Sequence, residues 1–386
     1  MDQKYIFSTK LKIRLAGLIG IGLLFTIYGF IADPDKTWAN LLLNNFYFLS
    51  IALGAMFFIA LQYVTESGWS AMFKRVPEAM AFYVLAAGAV AILLYFGMQS
   101  LYEWARPGIT ETDKLIAHKS PYLNVPFFMI RLIVVFTIWI VVLIMMRKHS
   151  FKENLSDSIE LFNKNKRLSM AFIFLFLITF SVAAIDWIMT IDSHWYSTIF
   201  GLRAIISALY YAIAVMVLLL FFLKGQGFFK EMNLSHNHEF GRYIFRLSIV
   251  WGYLWFVQYL IIWYANIPEA SSYYVPRVSE PWSAMFYIEL LINWTIPFLV
   301  MMSDDFARKK VVLIAISILL LIGFYLMLYL QIMPGSVGPK SFGLVDIGMF
   351  TGFAGIFLYI FFTFLGRTTL VSANHPYLKE SLTRKL

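Results

Sequence analysis

Charged and hydrogen-bonding side chains interrupt a long apolar stretch in the middle of the chain. Asp186 and Arg203 lie inside two apolar runs, and the short turn between these runs holds Asp192, His194 and Tyr196. Because a charged side chain is costly in hydrocarbon, ionisable residues within membrane segments generally have a function. An aspartate, a histidine and an arginine close to one membrane face therefore predict a site for proton exchange or for binding a polar headgroup.

Further polar side chains are predicted at depth on the same side of the membrane. At about 1.5 Å per helical residue, Arg131 lies about 10 Å from the outer end of its helix, and Glu289 lies roughly 12 Å from the outer end of its own. Asn293 follows Glu289 by one helical turn on the same face. Asp346 opens the last helix on this side, whereas Arg246 lies near a helix start on the other side. Most of the predicted intramembrane charge therefore lies in the outer half.

Two interpretations of these residues remain open. In the first, the acids and arginines surround an outward-facing cavity, in which an acid accepts protons from a hydroxylated ligand and releases them outward. Tyr210 and Tyr211 follow Arg203 along its helix and belong to the same region. In the second, Arg131 and Arg203 pair with the buried acids and hold helices together.

The membrane half on the amino-terminal side has a different composition. It contains Arg246 with Tyr243, Ser248 and Ser169, but no carboxylate is predicted at depth there. A continuous proton path would need ordered water, hydroxyl groups or a partner subunit in that half.

The elements that position these residues are predicted to be membrane-spanning helices. Of the 386 residues, 60% are hydrophobic and only 14% are charged, and the mean hydropathy of +0.73 lies well outside the range of soluble domains. Runs of roughly 20 apolar residues can cross about 30 Å of hydrocarbon. Ten such runs are predicted, at 11–31, 42–64, 79–101, 124–146, 168–191, 199–223, 240–264, 281–303, 311–333 and 344–366. We expect an all-α integral membrane protein with one polytopic membrane domain over 1–386, a short N-terminus at 1–10 and a C-terminal tail at 367–386.

The connecting loops are short, and none is predicted to bury a core of its own. The loop 147–167 on the amino-terminal side contains Ser156 as a helix N-cap. We expect this loop to form a short surface helix.

The net charge of +9 is distributed unevenly between the two sides. If the ten helices alternate in direction, most of the 31 Lys and Arg residues lie on the amino-terminal side, for example in 147–152, 164–167 and 308–310. This positive-inside asymmetry predicts that both termini are cytoplasmic. It also argues against nucleic-acid binding as the reason for the charge.

The residue types that are missing exclude several chemistries. The chain has no cysteine, which excludes iron–sulfur ligation, covalent c-type haem and disulfides within it. Its six histidines lie in predicted loops, at span ends or in the tail, so no pair is predicted to face each other and hold a b-type haem. No Walker motif, metalloprotease signature or nucleophile elbow is present at a plausible position. We therefore expect no metal ligands in this chain, no redox cofactor bound by it and no catalysis by it alone.

Motifs on the outer side carry a resemblance to a known family. HWYSTIFG at 194–201 with the aspartates before it, IWYANIPE at 262–269, LNVPFFMIR at 123–131 and the ten-span layout resemble the NrfD or polysulfide-reductase membrane-subunit family. Within that family, the chain is most similar to the second, shorter quinone-type membrane subunit of bacterial alternative complex III, a quinol:cytochrome c oxidoreductase of the electron transport chain. The resemblance covers almost the whole chain.

The resemblance implies two four-helix bundles with two flanking helices in the bacterial cytoplasmic (inner) membrane. It implies a larger NrfD-like membrane subunit beside this chain and extrinsic iron–sulfur and c-type haem subunits on the outer side, so that haem and iron–sulfur belong to partner subunits only. Menaquinone or menaquinol is the implied ligand. Asp186, Asp192 and His194 match the family motif, whereas the other candidate residues rest on their predicted depth.

The resemblance implies a membrane subunit of a quinol:cytochrome c oxidoreductase complex. It is expected to contribute an outer-side quinol cavity or a proton-translocation path and to anchor the extrinsic redox subunits. A purely structural scaffold of that complex is one alternative, in which substitution of the buried acids alters only assembly or stability. A stand-alone secondary transporter is another, and it predicts broken helices near the midplane, for which Pro126 and Pro297 are slight signs.

Overall fold

The computed structural model describes residues 4–153, 159–340 and 342–384. In this part of the chain, ten helices are long and apolar enough to cross a membrane, as the sequence predicts. We number them in chain order: α1 Thr9–Ala32, α2 Pro34–Val64, α3 Arg75–Leu101, α4 Val125–Glu153, α5 Ile159–Ile191, α6 Ile199–Gly225, α7 Leu234–Ala265, α8 Ser283–Met301, α9 Lys310–Ser336 and α10 Leu344–Leu365. The chain is an all-α, multi-pass membrane protein. Because the number of spans is even, both ends lie on one face, called the terminal face below, and the other face is called the opposite face.

The ten helices form two four-helix bundles and a flanking pair. Helices α2, α3, α4 and α5 pack in one ring, and α6, α7, α8 and α9 pack in a second ring. Extensive contact between α2 and α6 joins the bundles, while α1 packs along α10 at the side. This architecture is the one that the family resemblance implies.

Small residues allow the closest of these helix contacts. A Cβ added at Gly22 on α1 would overlap Gly352 Cα on α10, and a Cβ added at Gly54 on α2 would overlap Ala208 O on α6. Small residues at such interfaces let helix backbones approach, and close van der Waals packing drives helix association within a membrane. The flanking pair and the junction between bundles therefore depend on these positions.

Helix α2 begins well before the predicted residue 42. Asp33 accepts a hydrogen bond from Lys36 N at 3.2 Å, and Pro34 occupies the first helical turn. An aspartate N-cap followed by proline is a strong helix start, because the cap satisfies a free N–H group and proline has no N–H group to satisfy. Asp33 alone therefore separates α1 from α2.

The predicted surface helix at 147–167 is wrong. The described residues of this segment continue the spanning helices, since α4 extends to Glu153 and α5 already begins at Ile159. Ser156, the predicted N-cap, lies outside the described residues. The boundary prediction failed because charged residues at the two helix ends were assigned to the loop.

Helix α8 is irregular where it passes through the second bundle. Residues Leu291–Thr295 form a π-helical turn directly before Pro297. Proline has no N–H group to donate to the carbonyl four residues earlier, which belongs to Asn293. That carbonyl instead accepts a hydrogen bond from Tyr210 OH at 3.2 Å. The irregularity therefore exposes backbone polarity to α6 inside the bundle.

The C-terminal tail folds back across the terminal face. Ser381, in the short helix Leu378–Thr383, donates to Trp69 O at 2.7 Å. Arg384 Nη2 lies 2.5 Å from Glu239 Oε1 on α7. Because Trp69 precedes α3 and α7 belongs to the second bundle, the tail contacts both bundles.

Candidate functional site

Arg203 and Glu289 form an ion pair inside the second bundle. Arg203 Nη2 on α6 lies 3.0 Å from Glu289 Oε1 on α8, and both residues are buried. The guanidinium group also lies 5.1 Å from the ring centre of Trp251. Arg203 Nη1 lies 3.5 Å from Gln258 Oε1 on α7. The pair therefore links three helices of the bundle.

Gln258 connects this pair to a cavity near the opposite face. The cavity has a volume of about 270 Å³, and its lining includes His194, Tyr196 and Gln258. Gln258 is 2% exposed, and its Nε2 atom has no hydrogen-bond partner within the described residues. A buried amide nitrogen normally has a partner, so Gln258 Nε2 offers a free donor to a bound molecule.

The rest of the cavity lining is mostly apolar. It consists of Ser197, Thr198, Ile199, Ile261, Ile262, Ala265, Ile267, Glu269 and Ala270. Ile261 and Ile267 are more than half exposed on the protein surface. Small-molecule sites typically combine an apolar lining with a few fixed polar groups, and their volumes start at about 300 Å³. The cavity is therefore suited to an amphipathic ring with an apolar substituent.

His194 in the cavity lining is paired with a residue from a loop of the first bundle. Its Nε2 lies 2.6 Å from Asp113 Oδ2. Asp113 also caps the short helix Lys114–Lys119, and hydrogen bonds from Ile116 N–H and then from His194 lower the pKa of its carboxyl group. An ionised Asp113 that accepts from Nε2–H leaves the imidazole Nδ1 atom as a hydrogen-bond acceptor.

Asp192 is held by Arg277, a residue that the sequence did not single out. Arg277 is 2% exposed and its Nη2 lies 2.8 Å from Asp192 Oδ2. It also donates to Leu330 O at 2.7 Å and to Tyr273 O at 2.6 Å. The Tyr273 ring stacks on Trp195 with 3.8 Å between ring centres. These contacts fix the turn before the cavity against the end of α9.

Arg131 and Asp186 form a second pair, in the first bundle. Arg131 Nε on α4 lies 2.6 Å from Asp186 Oδ2 on α5, and Tyr122 OH donates to Asp186 Oδ1 at 3.0 Å. Burial and the neighbouring Asp186 charge raise the pKa of Tyr122 to about 12. Arg131 and Arg203 thus each pair with one acid, which is the arrangement expected if the arginines hold helices together. The two pairs lie in different bundles.

Tyr210, Tyr211 and Asn293 lie in the interior of the second bundle. Asn293 Nδ2 donates to Gly323 O on α9 at 3.0 Å. The Tyr211 ring stacks on Phe324 with 4.0 Å between ring centres, and its hydroxyl has no hydrogen-bond partner within the described ranges. These residues form a polar layer between α6, α8 and α9.

The two remaining candidates lie apart from the cavity. Asp346 is fully buried at the start of α10, where it lies 2.8 Å from Lys36 Nζ on α2 and accepts from Gly343 N at 2.7 Å. This pair ties the flanking helix to the first bundle. Arg246 is exposed on the outer surface of α7.

Two carboxylates are buried on the amino-terminal side, where the sequence predicts no carboxylate at depth. Glu78 on α3 is 6% exposed and Glu153 on α4 is 0% exposed, and both lie near the terminal face. The predicted spans placed Glu78 and Glu153 outside the bundle, but α3 begins at Arg75 and α4 ends at Glu153. The spacing of Arg147, Ser150 and Glu153 is a helical signal that could have revealed this.

No group of three or more His, Cys, Asp or Glu side chains in the described ranges could hold a metal ion. No protein-family model matches the chain, and no curated protein matches it either. The candidate site is therefore defined by geometry: a cavity near the opposite face, bordered by His194 and Gln258, with the Arg203–Glu289 pair behind it.

Proposed function

We propose that the chain is a membrane subunit of a quinol oxidoreductase complex and that it binds a quinol in the cavity near the opposite face. The observation that carries this proposal is the cavity of about 270 Å³, whose lining includes Gln258, a residue with an unpaired Nε2 atom. A quinol has polar oxygens on a ring and an apolar tail, which match one free donor, an imidazole and an apolar wall. The exposed side chains of Ile261 and Ile267 mark the route by which the tail reaches lipid.

Different residues around the cavity bind the quinol and accept its proton. Gln258 Nε2 donates a hydrogen bond to one ring oxygen, and the His194 Nδ1 atom accepts the first of the two protons that quinol oxidation releases, from the hydroxyl group at the other end. The second proton leaves the ring oxygen at Gln258 to water in the cavity. Asp113 stabilises the protonated imidazole, since its Oδ2 atom lies 2.6 Å from Nε2. His194 is partly exposed, so it passes the proton to the water on the opposite face.

We assign the acceptor of the quinol electrons to another subunit. The sequence contains no cysteine, and the described residues contain no group of three or more His, Cys, Asp or Glu side chains that could hold a metal ion. In this proposal the acceptor belongs to an iron–sulfur or haem subunit that docks on the opposite face, beside a larger membrane subunit. The chain supplies binding and proton release.

The Arg203–Glu289 pair keeps the charge behind the cavity neutral and holds Gln258 in place. Glu289 compensates the Arg203 charge, and Arg203 in turn orients Gln258 through Oε1. Substitution Glu289→Gln leaves a buried arginine without its counter-ion, which is strongly unfavourable. We expect Arg203 to turn away from its present position, so that Gln258 loses its fixed orientation.

The test is steady-state quinol oxidation by the complex purified through a tag on this chain. We expect His194→Gln to lower kcat/KM by about 10²-fold, the lower end of the range for loss of a general base. We expect Glu289→Gln to raise KM. His118→Gln is the matched control, because His118 is an exposed histidine on the Lys114–Lys119 helix of the same face. Wild-type kinetics in both variants, or a tagged chain that purifies without haem and iron–sulfur partners, would contradict the proposal.

A further inference from the structure

Arg246 is an exposed arginine on the surface of a membrane-spanning helix. It lies about 18 Å along α7 from the first residue of that helix, Leu234. Its side chain is exposed on the outside of the second bundle, and within the described residues it makes no hydrogen bond and no ion pair. A charge on a spanning helix is costly in hydrocarbon unless a partner or water satisfies it. Arg246 therefore lacks the kind of partner that charges within membrane spans usually have.

The packing of α7 against its neighbours gives the depth of Arg246. A Cβ added at Gly241 would overlap Ala307, which lies in the short helix that follows α8. The ring of Phe245 stacks on Phe298, in the last turn of α8, with 5.6 Å between ring centres. Arg246 therefore lies beside the last turn of a spanning helix, at the edge of the apolar layer. From this depth the long side chain of an arginine reaches the headgroup layer of the terminal face.

A second arginine lies one turn earlier on the same side of α7. Arg242 precedes Arg246 by four residues, so the two side chains are neighbours on the helix surface. Arg242 Nη1 is 3.8 Å from Glu239 Oε1, which is beyond direct hydrogen-bond distance. Arg384 Nη2 already lies 2.5 Å from the same oxygen. Neither arginine of α7 thus has a close ion-pair partner in the part of the chain that the structure describes.

The other acids at this end of the second bundle belong to the short helix after α8. Asp304 Oδ1 lies 2.8 Å from His238 Nε2. This hydrogen bond, and then the charges of Arg308 and Arg242, lower the pKa of Asp304. Asp305 is exposed and makes no ion pair within the described ranges. The acids here are therefore either shared among basic side chains or exposed to water, and none pairs with the deeper arginine of α7.

An apolar surface continues from the two arginines towards the opposite face. The exposed apolar side chains of α7 beyond this point include Ile249, Val250, Tyr253, Phe256 and Leu260. They follow Arg246 at intervals of three or four residues, so they lie on one side of the helix. Positive charge at the terminal face, followed by an apolar strip along the helix, matches a phospholipid with a negatively charged headgroup.

We propose that Arg242 and Arg246 bind the phosphate group of an anionic phospholipid in the leaflet of the terminal face, with an acyl chain along Ile249, Val250 and Tyr253. Guanidinium groups bind phosphate through paired, charge-assisted hydrogen bonds. A zwitterionic lipid fits less well, because the positive group of its headgroup is repelled by the two arginines. This site does not depend on the quinol cavity, because it uses the other end of α7 and the other membrane face.

The test uses the full chain with a single cysteine, because the sequence contains none. Tyr253→Cys, on the apolar strip, carries a fluorescent label, and the chain is reconstituted in phosphatidylcholine vesicles that contain brominated phosphatidylglycerol as a quencher. We expect stronger quenching than with the same fraction of brominated phosphatidylcholine. We expect Arg246→Gln to lower this preference about tenfold, because a hydrogen bond to a charged group is lost.

The matched control is Arg14→Gln. Arg14 is also exposed near the terminal face, but it lies only about 7.5 Å along α1 from Thr9, at a depth that water reaches. We expect this substitution to leave the lipid preference unchanged. Equal quenching by the two brominated lipids without the arginine substitutions, or an equal loss of preference in Arg14→Gln, would overturn the proposal in favour of a general attraction of the basic face.

The complex purified through a tag on this chain tests whether a protein covers the same surface. After detergent washing, we expect the Arg246→Gln complex to retain less phosphatidylglycerol than the wild-type complex and to retain all of its subunits. Unchanged phosphatidylglycerol would overturn the proposal. If a partner subunit is lost at the same time, the contact belongs to an acidic side chain of that partner. Quinol oxidation by the Arg246→Gln complex is expected to be unchanged, which separates this site from the quinol cavity.

Discussion

Arg131 and Asp186 tie α4 to α5 through a salt bridge of 2.6 Å. The arginine is held on its other sides as well: its guanidinium lies 3.9 Å from the ring centre of Tyr122 and 4.4 Å from that of Phe127. Its Nη1 atom also donates to Tyr122 O at 3.0 Å. The salt bridge and the two ring contacts favour a stabilising role, while the Nη2 atom has no hydrogen-bond partner within the described residues.

This relationship predicts that Asp186→Asn lowers stability but not turnover. Loss of the carboxylate leaves a half-buried arginine without its counter-ion, and interhelical polar contacts in membranes contribute about 0.6 to 1.7 kcal/mol. We expect a lower unfolding temperature in detergent and an unchanged kcat per folded complex. Arg131→Gln combined with Asp186→Asn should recover part of the loss. Slow quinol oxidation by a fully folded Asp186→Asn complex would show that this pair takes part in the reaction.

The contact between Arg277 and Asp192 predicts that the turn at 192–198 and the quinol cavity depend on each other. Arg277→Gln leaves Asp192 unpaired and frees the carbonyls at the end of α9, and a hydrogen bond to a charged group contributes about 1.5–3 kcal/mol. Because the turn at 192–198 lines the cavity, we expect a weaker affinity for quinol as well as a lower unfolding temperature. Arg106→Gln is the control, since Arg106 is on the same face and, within the described ranges, its side chain makes one hydrogen bond, to Gln99 O at 3.3 Å. Equal effects of the two substitutions would disprove the link.

Asp113 predicts a pH dependence of the loop that carries it. Its lowered pKa means that the carboxylate form is favoured by folding, so this stabilisation is present above the usual aspartate pKa of about 3.9 and is lost as the pH falls through the lowered value. We expect the helix Lys114–Lys119 to open at acidic pH, and Asp113→Ala to open it at neutral pH. Hydrogen exchange of residues 114–119, corrected for the intrinsic rate at each pH, measures this opening. Protection that is the same in Asp113→Ala and wild type would contradict the capping role.

The sequence predicts the helices well because hydropathy and length decide whether a segment spans a membrane. It also places Arg131, Arg203, Asp186 and Glu289 within the membrane. It does not predict which arginine meets which acid, because that depends on the packing of α4 with α5 and of α6 with α8. These are long-range contacts that local spacing does not encode.

Two features of the site were missed for identifiable physical reasons. Arg277 belongs to the short helix Tyr274–Val278 between α7 and α8. The sequence predicts a loop there, where a charged residue is normally solvated, so nothing local indicated that Arg277 is buried. Glu153 lies beside lysines and arginines that suggested a surface segment. Helix α4 extends to Glu153, so its polar end lies beneath the C-terminal tail. The sequence does not predict this burial, because it depends on contacts with the distant tail.

The quinol site is tested most directly by locating a bound quinone in this chain. A photoreactive menaquinone analogue is added to the purified complex, and the labelled peptides are identified by mass spectrometry. We expect label within 194–199 and 258–270, competed by unmodified quinone. We expect this label to be reduced in Gln258→Leu but not in Gln99→Leu, because Gln99 is an exposed glutamine of the first bundle. Competed label confined to partner subunits, with none in these two segments, would contradict the quinol site.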